Sequence, residues 1–157
     1  MDGPTQRVLE KFPFDKEKII AEVIKYNSQV LKLNIDPKPD DKIIELKEGT
    51  GRHTHTRHQI HQGNLLKEGK VTKIVALYNV NGPDDFQGGS IEFENWRRFR
   101  IDNYGNPQGD ADSHVPDWIN EEGTLIIYPA VVKCEADIVV SGTVRRHEYL
   151  FMGDNYR

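Results

Sequence analysis

Lys70 to Phe93 reads KVTKIVALYNVNGPDDFQGGSIEF. The run Val71 to Val80 is rich in Val, Ile and Leu, with Thr and Tyr among them, and has the length and composition of a strand. Gly82, Pro83 and Asp84 then supply turn chemistry. Gly88 and Gly89 permit positive φ or a close backbone approach just before a second strand, Ser90 to Phe93. Moving toward the carboxy terminus, the runs Thr124 to Tyr128, Ala136 to Val140 and Val144 to Met152 repeat this pattern between Gly-, Pro- and Asp-bearing turns. Several short strands in one unit predict a mainly β sandwich, barrel or jelly roll.

Moving toward the amino terminus, Asp15 is an N-cap candidate, and Ile20, Val23, Ile24, Val30 and Leu31 fall near one face of an amphipathic helix ending near Leu33. Asn34 to Asp41, with Pro37 and Pro39, cannot continue that helix and reads as an extended connector. Lys42 to Lys47, carrying Ile43, Ile44 and Leu46, is a short strand candidate bounded by Gly49 and Gly51. The chain of 157 residues is expected to be one domain. Residues 1–41 form a helical extension and connector, and 42–157 a β core carrying a long polar loop at 102–122.

Hydrophobic content of 36% and charged content of 29% fit a globular protein. No apolar run approaches the length of a membrane span. A net charge of −4 gives no general drive toward nucleic acid, which is not expected as a partner. Met1 to Glu10 is polar and shows no secretory signal, so the cytoplasm of the host cell is the expected location. The single cysteine, Cys134, excludes an intramolecular disulfide.

The Lys70 to Phe93 block resembles the 2-oxoglutarate/Fe(II)-dependent dioxygenases, particularly the short prolyl-4-hydroxylase-like members of bacteria and bacteriophages. Two further blocks resemble the family in the same order. Glu122-Gly123-Thr124-Leu125-Ile126-Ile127-Tyr128-Pro129 is similar to the strand ending in aromatic-proline, and Ser141-Gly142-Thr143 to the turn before the last core strand. The resemblance covers about residues 60–152. It implies a double-stranded β-helix, or jelly roll, with the amphipathic helix at its amino-terminal side.

An active member needs two histidines and a carboxylate on one face of Fe(II). The resemblance puts the first pair, His-x-Asp, at His61-Gln62-Gly63, with Gly63 where the carboxylate belongs. A His-x-Gly site is known in halogenating relatives, where chloride takes the vacated position. The resemblance implies a second histidine about five residues after the aromatic-proline pair, where this chain carries Cys134. The 2-oxoglutarate-binding Arg of the family falls at Val144, with Arg145 one step away on the opposite face unless a bulge intervenes. If the chain is active, Arg145 is the expected co-substrate clamp. His61, Cys134 and His147 are the metal candidates, although His147 on the last strand also reads as a surface or interface histidine.

Arg52-His53-Thr54-His55-Thr56-Arg57-His58-Gln59-Ile60-His61 holds four of the six histidines. In an extended segment His53 and His55 share one face, the arrangement of a cupin His-x-His metal pair. A cupin Glu would follow about five residues later, where Ile60 stands, and its later histidine would again fall near Cys134. The alternative is a polar, mildly basic segment facing solvent or a partner, with a pH-sensitive contact as a further option. Asn95-Trp96-Arg97-Arg98-Phe99-Arg100 interleaves aromatics with arginines, a composition suited to a protein interface. Trp96, Arg97, Arg98, Phe99 and Arg100, with His114 and Trp118 of the long loop, are the expected interface residues.

Three functions stay open. The first is a non-catalytic jelly roll with no cofactor that acts through contacts with other subunits in a homo- or hetero-oligomeric assembly. The family's short phage form makes that assembly a bacteriophage particle, with the chain incorporated into the virion. The second is an oxygenase with an unusual metal site, using Fe(II) and 2-oxoglutarate. The third is a cupin-like metal or small-molecule binder.

Overall fold

Strands β4 (Lys70–Asn79) and β11 (Val139–Asp154) run antiparallel, paired from Arg146 opposite Asn79 to Asp154 opposite Lys70 with one register shift between Phe151 and Met152. These positions come from a computed structural model, which describes residues 7–49, 53–55, 70–93, 98–101, 107–110, 120–130 and 134–154. Around the pair lies the main sheet, ordered β1 (Arg7–Leu9), β9 (Leu125–Pro129), β4, β11 and β2 (Asp40–Lys47). β5 (Phe86–Gly88) joins the leading end of β11. A second, smaller sheet has the order β3 (His53–His55), β10 (Cys134–Ala136) and β6 (Ile91–Phe93). β7 (Arg98–Ile101) pairs with β8 (Pro107–Asp110).

The main sheet is buried on both faces, which is why β4 reads as an almost unbroken apolar run. On one face Val75, Leu77, Ile126, Tyr128 and Leu150 pack with Ile91 of the small sheet. On the other, Ile74, Ala76, Tyr78, Leu125, Ile127, Tyr149 and Phe151 pack under Ile19, Val23 and Tyr26 of helix α1 (Lys16–Tyr26). The layers are therefore helix, main sheet and small sheet. This is the expected mainly β jelly roll with an amino-terminal helix. Among the described residues no helix is long and apolar enough to cross a membrane.

Several local expectations are corrected. Asp15 caps α1 as expected, accepting from the Lys18 N–H at 3.2 Å. The buried stripe, however, is Ile19, Val23 and Tyr26, while Ile24 is exposed. The α-helix passes into a π-helical turn, Asn27–Leu31, and stops at Lys32 with φ 52°. Asn27 ties off this end by bonding both the N–H and the carbonyl of Leu33, at 2.8 and 2.9 Å.

Ala136 to Val140 is not one strand. β10 ends at Ala136, Asp137 N–H bonds the Ser90 carbonyl at 2.9 Å, and the chain enters the other sheet at Val139. Ser141-Gly142-Thr143 is not a turn either, but lies within β11. There the register against β5 shifts between Val139 and Ser141, and Gly142 takes φ +76°. The 102–122 segment contains β8, whose Pro107 to Asp110 pair with Ile101 to Arg98, so it is not loop throughout. Arg98, Phe99 and Arg100 of the basic-aromatic stretch belong to β7.

Gly142 and Gly49 both have positive φ, but a Cβ at Gly142 would collide with the Asp85 carbonyl and Phe86 Cα, while Gly49 faces open space. Gly142→Ala is expected to cost about 2 kcal/mol or more, from collision added to strain. Gly49→Ala should cost only about 1 kcal/mol, the strain alone. Chemical denaturation of the two variants checks this, and equal losses would contradict the register.

Candidate functional site

Because strand residues alternate between faces, β11 sorts its side chains into two environments. Val144, Arg146, Glu148 and Leu150 fall on the face that meets the small sheet, and His147, Tyr149 and Phe151 on the face under α1. The register shifts lie between Val139 and Ser141 and between Phe151 and Met152. Nothing shifts between Val144 and Glu148, so the alternation holds there.

Arg145 is thereby turned away from the interior. Its side chain is 50% exposed and pairs with Glu45 of the edge strand at 3.3 Å. Arg146 is the inward arginine, only 4% exposed. Its Nε donates to Asn79 Oδ1 at 3.3 Å, and its Nη2 to the Gly89 carbonyl at 2.8 Å and to Asn120 Oδ1 at 3.3 Å. Asn120 Nδ2 in turn donates to Ser90 Oγ at 3.0 Å, and Asn79 Nδ2 to the Glu121 carbonyl at 3.0 Å. The Gly-Gly turn, the strand end at Asn79 and the segment before β9 thus meet at one guanidinium. Glu148, two residues on, is also buried on this face. The interior wall thus carries Arg146, Glu148, Asn79 and Asn120 among apolar residues, each of them buried.

Sequence reading passed over Arg146, Asn79 and Asn120. The signal for Arg146 was present, because the alternation that turns Arg145 outward from the Val144 position returns to the interior at Arg146. Asn120 carries no comparable signal, since its partners lie far away in sequence.

His147 lies beneath the helix, on the far side of the main sheet from Arg146. Its Nε2 meets Asp41 Oδ2 at 2.7 Å, and its Nδ1 meets the Tyr149 hydroxyl at 3.1 Å. Burial, followed by the charges of Asp41 and Asp15, pushes the Tyr149 phenol up to about 12. The protonated Tyr149 hydroxyl and the Asp41 carboxylate thus hold the two ring nitrogens of His147. Lys16 Nζ completes the chain at 2.7 Å from Asp41 Oδ1, tying the first turn of α1 to β2. The Lys16 hydrogen bond is the main reason the Asp41 carboxyl sits below its ordinary 3.8; burial opposes it and His147 adds to it.

His53 and His55 lie on β3, and the register sets Cys134 of β10 directly opposite His55. His61, Gly63, Trp96, Arg97, His114 and Trp118 lie outside the described residues. Among the residues whose side chains are described, no three His, Cys, Asp or Glu groups gather as a metal would need.

The chain was compared with known proteins at the level of fold and of sequence. A crystal structure of a Pseudomonas putida prolyl-4-hydroxylase superposes with a TM-score of 0.52 over 93% of this chain and 83% of that one, at 12% identity. This chain shares that enzyme's fold. No family model and no curated protein matches the sequence. The prolyl-4-hydroxylase fold is thus retained at an identity too low to transfer residue roles.

Two expectations follow. Arg146→Met should lower stability by about 2–3 kcal/mol, since Asn79, Asn120 and the Gly89 carbonyl all lose a charged donor. Arg145→Ala, by contrast, should stay within about 0.5 kcal/mol of the parent. Asp41→Asn should cost about 1 kcal/mol at neutral pH. The folded carboxyl titrates below its unfolded value, so its contribution is complete above the unfolded value and is lost as pH falls through the folded one. Urea melts across pH should therefore show the gap between Asp41→Asn and the parent narrowing only below about pH 4. A gap that already closes near neutrality would contradict this assignment to the Asp41 carboxyl.

Proposed function

We propose that the protein is a 2-oxoglutarate/Fe(II)-dependent oxygenase in which Arg146, rather than Arg145, holds a carboxylate of the co-substrate inside the barrel. The observation that carries this reading is the burial of Arg146 on the interior face of β11, two residues beyond the Val144 position. A desolvated guanidinium is a strong, planar partner for a carboxylate. Likeness to a prolyl-4-hydroxylase supports the class of chemistry.

Bound Fe(II) would activate dioxygen, the oxidant, with one oxygen atom entering the hydroxylated substrate and the other the succinate formed, with CO2, from 2-oxoglutarate. The chain's own part is to bind and orient. Asn79, Asn120 and the Gly89 carbonyl hold the guanidinium plane still, so that a carboxylate meets a fixed donor array rather than a mobile side chain. The apolar residues Val75, Leu77, Ile126 and Leu150 keep water from the same wall. The readings as a phage-particle component and as a cupin-like binder rest on the sequence alone, and no feature of the geometry favours them.

The test is succinate production from 2-oxoglutarate with added Fe(II) and ascorbate. The parent should turn over, and Arg145→Met should match it. Arg146→Lys, which keeps the charge but loses the fork, should raise the KM for 2-oxoglutarate about tenfold or more, in line with about 1.5–3 kcal/mol for a charged hydrogen-bonded contact. Far-ultraviolet circular dichroism verifies that each variant is folded. A parent that makes no succinate, or a loss on changing Arg145 with none on changing Arg146, would overturn the proposal.

A further inference from the structure

β2 ends the main sheet, and among the described residues no strand pairs with its outer side. A long open edge is a template for another chain, because it presents a row of unpaired N–H and C=O groups. The ladder tells which groups those are. The Arg145 carbonyl accepts from the Val80 N–H at 3.0 Å and the Arg145 N–H donates to Asn81 Oδ1 at 2.9 Å, so the main chain of Arg145 is turned toward β4. The N–H and C=O of one residue point to the same side of an antiparallel strand, and the side alternates along it, so Val144, Arg146, Glu148 and Leu150 are turned toward β2. They oppose Leu46, Ile44, Lys42 and Asp40. Asp41, Ile43, Glu45 and Lys47 therefore present their main-chain groups to the open edge.

The order of these four residues is self-complementary. In an antiparallel pair related by a two-fold axis, opposed residues share a face, so the axis must pass beside a residue opposed to its own copy. With that residue Ile44, Asp41 falls opposite Lys47 and Ile43 opposite Glu45, twice each, and every outward N–H and C=O gains a partner. On the other face Ile44 meets its copy and Lys42 meets Leu46, while Glu48, which would face Asp40, lies beyond the end of β2. An axis at Ile43 would instead set Asp41 against Glu45 and Lys47 against Pro39, which has no N–H. An axis at Glu45 would set that carboxylate against its own copy. Displacement beyond these leaves fewer outward residues paired. Ile43 is 56% exposed, and in the favoured register it lies diagonal to Ile43 of the second copy, which covers it.

We infer that the protein forms a two-fold symmetric dimer in which β2 pairs antiparallel with β2 of a second copy about Ile44, joining the two main sheets into one. The same surface is used on both copies, so the contact closes at two subunits. The inference is independent of the oxygenase reading.

Sedimentation equilibrium of the full-length, tag-free protein over a series of concentrations tests it. The parent should show a reversible monomer–dimer equilibrium. Glu45→Pro removes an outward N–H from each copy but no bond to β11, a place where an edge strand accepts proline, and should weaken the dimer about tenfold or more. Ile43→Lys should weaken it comparably by setting two cations on the diagonal, whereas Val140→Lys, at an exposed apolar residue away from β2, should leave it unchanged. Circular dichroism verifies that each variant folds. In a Cys134→Ser background, Ile44→Cys should form a disulfide between copies, because opposed Cα atoms of such a non-hydrogen-bonded pair approach to about 4.5 Å, and Ile43→Cys should not. A parent that stays monomeric throughout, a dimer indifferent to both Glu45→Pro and Ile43→Lys, or cross-linking at Ile43→Cys in preference to Ile44→Cys would overturn the inference.

Discussion

The pairing of β11 with β4 sets everything else in this structure. The ladder runs the length of β4 and takes in Arg146 to Asp154 of β11, and the two-residue period of a strand then assigns each of these β11 side chains to one of two cores. Slipping that register by one residue would exchange Arg146 and Glu148 with His147 and Tyr149, emptying the interior of its charges and breaking the helix contact. Two buried faces make the register expensive to change, because each slip exposes apolar residues on both sides at once.

The two faces are put to different uses. Beneath α1, the Lys16, Asp41, His147 and Tyr149 chain is a local fastening that joins helix, edge strand and central strand. Phe14 covers it, with its ring 5.7 Å from that of His147. On the interior face, Arg146 gathers the Gly88-Gly89 turn, Asn79 and Asn120 around one cation. The small sheet closes the same space from the other side through Ile91.

Much of this was legible in the sequence, and the exceptions have physical reasons. The apolar run of β4, the turn at Gly82 to Asp84, the glycine pair and the Asp15 cap are local signals that tertiary context did not override. β8 was not legible, because Pro107-Gln108-Gly109-Asp110 has turn composition and becomes a strand only through pairing with β7. Gly142 read as a turn because a glycine with positive φ looks the same in a turn and in a strand that bends between partners. Ile24 was misassigned because the apolar stripe of α1 is set by which residues meet the sheet. The interior arginine was one step of alternation away from being found, whereas its acceptors Asn79, Gly89 and Asn120 come together only once the strands are ordered.

The central claim is that the space between the sheets is a carboxylate-binding chamber anchored on Arg146. Its most direct test is the side-chain Nε–H resonance of Arg146 in a nitrogen-15 correlation spectrum, assigned by its disappearance in Arg146→Lys. Titration with 2-oxoglutarate should shift that resonance saturably and leave the Arg145 signal in place. A titration that moves neither signal, or moves Arg145 alone, would contradict the account.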